Sequence, residues 1–194
     1  TGTSAGVAVM CRHYVGLLEP PGGCELVPYR AIGVFVNLGG QEPVAVVSCY
    51  LHDCQGLSDS NQFIMYKIGG FVSSTLSGYI IGGDFNMEPQ VLGESKFVET
   101  LEAQLVTSGS PTCTSTSEAG AKHYDYFIVS SGLSKGVRSV GIDRSAPMSP
   151  RAPVTVKFHS QLYELKVLAF RKPPPLPSAV PVDEHMLSGR MCQP

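Results

Sequence analysis

An α/β layered sandwich is the fold this sequence predicts, and three observations carry it. Apolar strand-like runs outnumber helical segments along the chain. Connections between several of them are long enough to hold helices. Twenty-one glycines and fifteen prolines among 194 residues exclude an all-helical bundle, because both residues weaken helix interiors. The length suits one domain, or one domain with a tail, and is enough to bury a real core. No apolar run approaches the ~20 residues of a membrane span, which argues against a transmembrane protein.

The elements follow in order. Val7 and Val9 alternate with small residues, as a half-buried strand would. Pro20 to Gly23 reads as a turn. Ile32 to Leu38 and Val44 to Leu51 are apolar runs separated by a short glycine-containing gap, which predicts an antiparallel hairpin. Leu57 to Leu76 predicts a helix: Ser58 or Ser60 can cap it, and Phe63, Ile64, Ile68, Phe71, Val72 and Leu76 fall at helical spacing. Gly69-Gly70 inside it costs roughly 2 kcal/mol against two alanines, enough to permit a break there. Tyr79 to Gly83 is a short buried strand, and Ser95 to Gln104 a second helix. Tyr124 to Ser130 and Val137 to Ile142 are strands. Val154 to Phe158 and Leu162 to Phe170 form an expected closing hairpin. From Lys172 the chain is proline-rich, with Pro173, Pro174, Pro175, Pro177 and Pro181, and reads as an extended or disordered tail. The expected division is a domain over residues 1–171 and a tail or linker over 172–194.

Charge and cysteine usage add bounds. The net charge is −2, yet residues 1–121 carry −7 and residues 122–172 carry +6. Such asymmetry can mark a polyanion-facing half, or simply solvated strand and loop faces. None of the six cysteines forms C-x-x-C, so a zinc site is not expected and the thiols read as free. No signal peptide pattern opens the chain, and an intracellular location, cytoplasm or nucleus, is the expectation. The start at Thr1 reads as a cut.

The most informative stretch is Tyr79-Ile80-Ile81-Gly82-Gly83-Asp84-Phe85-Asn86. An apolar strand ends in two glycines, then places a carboxylate and an amide two residues apart. On an extended segment both side chains face one way. Asp84 could then orient or deprotonate a water, and Asn86 could donate to an oxygen that gains charge. The same pair could equally form an Asx-type turn after the strand.

Gly83-Asp84-Phe85-Asn86 resembles the G-D-F-N motif of the endonuclease/exonuclease/phosphatase superfamily, the DNase I-like fold. Val46-Val47-Ser48-Cys49-Tyr50 is similar to the strand that delivers a tyrosine to phosphate in apurinic-type and retroelement-type endonucleases. Tyr124-Asp125-Tyr126-Phe127-Ile128-Val129-Ser130 resembles the later I-D-Y-I-x-x-S strand. Thr112 lies where retroelement endonucleases often carry a phosphate-contacting threonine. The resemblance runs from about Gly6 to Phe170. It implies a four-layer α/β sandwich, here incomplete at its N-terminus. It further implies that Asp84 activates water, that Asn86 holds the water and a phosphate oxygen, and that Asp125 orients a histidine. Tyr50 and Thr112 would contact phosphate. Mg²⁺ would act as a Lewis acid on the phosphoryl oxygen, on a nucleic-acid or other phosphoester substrate.

Two departures accompany the resemblance. The family's S-D-H-x-P-V reads here Ser149-Pro150-Arg151-Ala152-Pro153-Val154. Pro150 stands where a metal-side Asp is usual. Arg151 stands where the catalytic His is usual and cannot exchange a proton near neutral pH, although it could bind phosphate. The family's early Glu, its main metal ligand, has no match: Gln41-Glu42 falls in the wrong order and reads as a turn pair. His159 reads as a surface strand residue. Two functions are thereby expected. One is a Mg²⁺-dependent phosphodiesterase from a retroelement polyprotein, impaired in this copy, with a reverse transcriptase module downstream. The alternative is a degenerate fragment that binds phosphate or a protein partner without turnover.

Overall fold

The computed structural model describes residues 6–37, 42–75, 78–114, 120–148 and 150–159. In chain order they form β1 (Gly16–Leu18), β2 (Glu25–Val27), β3 (Ala31–Asn37), β4 (Val44–Tyr50), α1 (Asp59–Ser73), β5 (Tyr79–Asp84), α2 (Pro89–Glu94), α3 (Phe97–Thr100), β6 (Ala103–Val106), β7 (Asp125–Ser130), α4 (Ser131–Ser134), β8 (Val137–Ile142) and β9 (Val154–Phe158). Seven strands make one sheet in the order β1-β3-β4-β5-β7-β6, with β2 also paired to β3. The remaining two, β8 and β9, form a separate antiparallel ladder.

The expected hairpin is β3–β4, antiparallel from Ala31 opposite Cys49 to Val36 opposite Val44. β4 and β5 are parallel, and parallel neighbours need a crossover. α1 supplies it. Ser58 caps that helix by accepting the Asn61 N–H at 3.4 Å, as the sequence predicts. β5 then pairs antiparallel with β7, Asp84 directly opposite Asp125.

α1 buries Ile64, Met65, Ile68 and Val72 against one face of the sheet, where Ala45, Val47, Cys49, Ile81 and Ile128 are also buried. Asn61 lies on the same buried stripe. It donates to the His52 and Gly56 carbonyls at 3.1 and 2.8 Å and accepts the His52 N–H at 2.7 Å. One amide thus ties the β4–α1 connection to the helix.

The other face carries a cleft. Val46, Ser48, Ile80, Gly82 and Phe127 line a cleft of about 520 Å³, bordered by residues 6–10 and by Val154 at the start of β9. The helices and the seven-stranded sheet are two layers of the expected sandwich, and the β8–β9 ladder reaches the cleft through Val154. No helix among the described residues is long and apolar enough to cross a membrane. Cys11, Cys24, Cys49, Cys54 and Cys113 are free thiols.

Several expectations are corrected. Gly6 to Cys11 forms no strand, although Val7 and Val9 are half-buried between exposed neighbours. The alternation is real, but no strand of the described sheet pairs with it. Ser95 to Gln104 is not one helix. Pro89 opens α2, as proline suits the first helical turn. Lys96 then adopts a left-handed conformation (φ 61°) that separates α2 from α3, and Glu102 (φ 51°) ends the helical stretch before β6. α1 runs through Gly69-Gly70 without the break that the pair would permit. The partner of β9 is β8, while the predicted strand at 162–170 and the tail at 172–194 lie outside the described residues. β1 and β2, three residues each and on the sheet's edge, carry no readable periodicity.

Gly83 is required by close approach: a Cβ there would lie 2.0 Å from the Cys49 carbonyl oxygen. Gly70 is the opposite case, with nothing within 4 Å of an added Cβ. Gly70→Ala is therefore expected to raise the unfolding free energy by about 1 kcal/mol through helix propensity alone. Asn61→Ala should lower it by roughly 1–3 kcal/mol, because three part-buried backbone groups lose their partner. Urea unfolding of both variants measures the two effects.

Candidate active site

The sheet register builds the site. β5 ends between β4 and β7, so Asp84 has Tyr50 as its parallel partner and Asp125 as its antiparallel one. Beyond Asp84 the chain turns away sharply. Asn86 has φ +50° and donates its N–H to Asp84 Oδ1 at 3.1 Å. This is the Asx-type turn, a conformation that asparagine tolerates well. Asn86 is buried, its Nδ2 donates to the Leu51 carbonyl at 2.8 Å, and its Oδ1 faces the site. The turn and the site-facing side chain coexist, because the turn uses the backbone N–H of Asn86.

Arg151 occupies the centre. Its Nη2 lies 2.6 Å from Asp84 Oδ2 and donates to Asn86 Oδ1 at 3.3 Å. Its Nη1 donates to both Asp125 oxygens at 3.1 Å. The backbone aims it: Arg151 bridges Cys113, the Thr114 N–H donates to the Pro150 carbonyl at 2.9 Å, and the Ala152 N–H donates to the Thr112 carbonyl at 2.9 Å. Pro150 thus serves as an acceptor here. Ser149 lies outside the described residues.

Thr112 is buried, at 2% exposure. Its hydroxyl donates to Asp125 Oδ2 at 2.7 Å and accepts the N–H groups of Tyr124 and Asp125 at 3.2 and 3.0 Å. In this arrangement it holds Asp125 in place. Tyr50 is half-buried beside the cleft and carries the Arg30 guanidinium over its ring, 4.9 Å from the centroid. His52 is pushed toward its neutral form by burial and by Arg30.

Of the six residues singled out from sequence, Asp84, Asn86, Asp125, Thr112 and Arg151 form one hydrogen-bonded cluster, and Tyr50 borders the same cleft as Asp84 and Asp125. Sequence reasoning missed the Leu51 carbonyl, for which no signal exists, and Asn61. The signal for Asn61 was present: a lone amide at helical spacing with Ile64, Met65, Ile68 and Val72.

The electrostatics follow from burial. Asp84 is pushed up to about 6, first by burial and then by the neighbouring Asp125, against the pull of Arg151. Burial would lower Arg151, but the two carboxylates raise it. The donor set does not suit Mg²⁺. The oxygens that would face a metal already engage a guanidinium, and the described residues bring no three carboxylate, imidazole or thiolate groups together.

Comparison with solved structures settles the architecture. The endonuclease domain of TRAS1, a telomere-specific non-LTR retrotransposon, matches with a TM-score of 0.61 at 13% identity, over 77% of this chain and 71% of that one. The fold is DNase I-like. The AP endonuclease LMAP from Leishmania major matches this DNase I-like domain with a TM-score of 0.58 at 14% identity, over 75% and 61% of the two chains. The 3'-5' exonuclease NExo from Neisseria meningitidis gives 0.53 at 16%, over 75% and 70%. At these identities the likeness is one of fold. No family model and no curated protein matches the sequence.

The raised Asp84 carboxyl predicts a pH dependence for this DNase I-like domain. An Asp whose pKa is higher folded than unfolded stabilises the fold below its ordinary value near 3.8, and loses that stabilisation as pH rises through about 6. Relative to Asp84→Asn, the native chain should lose roughly 2 kcal/mol of stability between about pH 4 and pH 7. Arg151→Gln should be destabilised by roughly 1–3 kcal/mol at pH 7, and by less below pH 5, where Asp84 is protonated. Denaturant unfolding across that pH range checks both.

Proposed function

We propose that this chain is a phosphodiesterase-like domain derived from a retroelement endonuclease acting on nucleic acid, and that this copy does not hydrolyse phosphodiesters. The observation that carries the reading is the guanidinium of Arg151 seated between Asp84 and Asp125. Asp84 Oδ1 accepts from the Asn86 backbone and Oδ2 is paired to Arg151. Both oxygens thus carry a donor, and the guanidinium takes the place beside Oδ2 that an attacking water would need. Arg151 itself cannot serve as acid or base near neutral pH. The catalytic roles assigned to Asp84, Asn86 and Asp125, and the phosphate contacts assigned to Tyr50, Thr112 and Arg151, describe the ancestral chemistry in this reading.

The retroelement origin is supported by the motif order along the chain and by the likeness to the TRAS1 endonuclease domain. A reverse transcriptase module beyond the proline-rich stretch belongs to the same reading. Phosphate capture at the cluster is disfavoured at neutral pH, since two carboxylates outnumber one guanidinium there.

The test is supercoiled-plasmid nicking with Mg²⁺ present. The purified chain should leave the plasmid intact, and Arg151→His alone should restore no nicking. Nicking by the native chain that disappears in Asp84→Ala would overturn the proposal.

A further inference from the structure

The positive charge of residues 122–172 is a sequence signal that the Asp84 cluster leaves unused. Arg151 is engaged by two carboxylates. The other described cations of that stretch are Lys122, Lys135, Arg138, Arg144 and Lys157. Three of these, Lys135, Arg138 and Lys157, belong to the β8–β9 ladder or to the turn that precedes it.

Register decides where they point. Ile142 pairs with Val154, Gly141 with Thr155, Val140 with Val156 and Ser139 with Lys157. Val154 borders the cleft, so Val156 and Phe158 share its side, and Thr155 and Lys157 take the other. Strict alternation along β8 would send Arg138 to the cleft side and Val137 away from it. A bulge intervenes. The register shifts between Val137 and Ser139, so that Val137 pairs with Phe158 and Arg138 is the extra residue. A bulge of this kind re-aims a side chain. Accordingly Arg138, Ser139, Thr155 and Lys157 are exposed, whereas Val137, Val140, Ile142, Val154, Val156 and Phe158 are half-buried.

The outward face of the ladder thus carries two neighbouring cations and two hydroxyls. Lys135, also exposed, lies at the same end, next to Gly136, whose carbonyl accepts the His159 N–H at 2.9 Å. Like charges on neighbouring positions of paired strands repel, and neither Arg138 nor Lys157 has an ion-pair partner among the described residues. The only acid between residues 126 and 159 is Asp143. Its Oδ1 already accepts from the Ser145 N–H and hydroxyl, at 3.0 and 2.6 Å. The positive charge of this face is therefore uncompensated.

We propose that the outward face of the β8–β9 ladder is a docking surface for the phosphodiester backbone of nucleic acid, separate from the cleft beside Asp84. Charge complementarity selects a polyanion. Guanidinium, ammonium and hydroxyl donors on one face are the groups that hold phosphates without reading bases. That the polyanion is nucleic acid rests on the proposed endonuclease ancestry. Docking here needs no proton transfer, so the pairing of Arg151 with Asp84 and Asp125 does not prevent it.

The test is fluorescence anisotropy of a short labelled DNA duplex titrated with the full chain in EDTA. Three phosphate contacts, from Lys135, Arg138 and Lys157, predict that log K falls with log salt at a slope of about −3. Arg138→Gln with Lys157→Gln should reduce the slope to about −1 and weaken binding at least about tenfold at low salt. Lys67→Gln with Lys96→Gln removes the same charge from the helix side and should change affinity by less than about twofold, since distant charges are screened. Duplexes of unrelated sequence should bind alike. No binding by the native chain would overturn the proposal. Unchanged affinity in the ladder variant would do so too, leaving its cations as guards of an open strand edge. An equal loss in the helix-side variant would sink the idea by showing attraction to net charge alone. Poly-glutamate that competes as well as duplex at equal charge would also overturn it, by pointing to an acidic protein as the occupant. EDTA keeps this readout separate from the nicking test, so either result can fail without the other.

Discussion

Two carboxylates stand directly opposite each other at the end of β5 and the start of β7, and the site is organised around neutralising them. Like charges at facing positions of an antiparallel pair repel, and Asp84 is largely buried. Arg151 answers that repulsion by pairing with both at once. Its own placement depends on residues 150–152 being fastened to residues 112–114, and Thr112 then returns the favour to Asp125 through its hydroxyl. Remove the guanidinium and three chain segments lose their common partner.

Facing carboxylates admit two electrostatic solutions. A hard divalent ion satisfies facing carboxylates through oxygen ligands and water, whereas a guanidinium satisfies them through directed N–H donors in a planar fork. The second solution is covalently part of the chain, so it cannot dissociate with conditions. It also fills the space between the two carboxylates. The same DNase I-like framework thus holds facing carboxylates at a strand end with a cation of its own chain.

The two faces of the central sheet differ in what they ask of the chain. On the helix side, α1 and the buried residues of β4, β5 and β7 form a dry core, and the buried amide of Asn61 is hydrogen-bonded at both its oxygen and its nitrogen. On the other side the residues of the same strands are only half-buried around the cleft. A strand's alternating side chains supply both faces, so the dry face defines the register that also brings Asp84 opposite Asp125.

Most of the framework was legible in the residues. The runs at 32–38, 44–51, 79–83, 124–130 and 137–142 became strands because apolar periodicity is a local signal, and Ser58 marked the start of α1 for the same reason. The first corrections came where pairing decides: Val7 and Val9 alternate, but no strand of the described sheet takes them up. The split of the expected second helix was decided by left-handed backbone at Lys96 and Glu102, a conformation that neither residue type announces. At the site, the identity and order of Asp84, Asn86, Thr112, Asp125 and Arg151 were determined by the sequence alone, as was the presence of an arginine in Ser149-Pro150-Arg151-Ala152-Pro153-Val154. What only the tertiary structure decided is the direction of Arg151. Sequence chemistry allowed it to face a phosphate; the fold points it inward. The reason is that its backbone is hydrogen-bonded beside Thr112 and its side chain reaches two buried-end carboxylates that have no other cation among their described contacts.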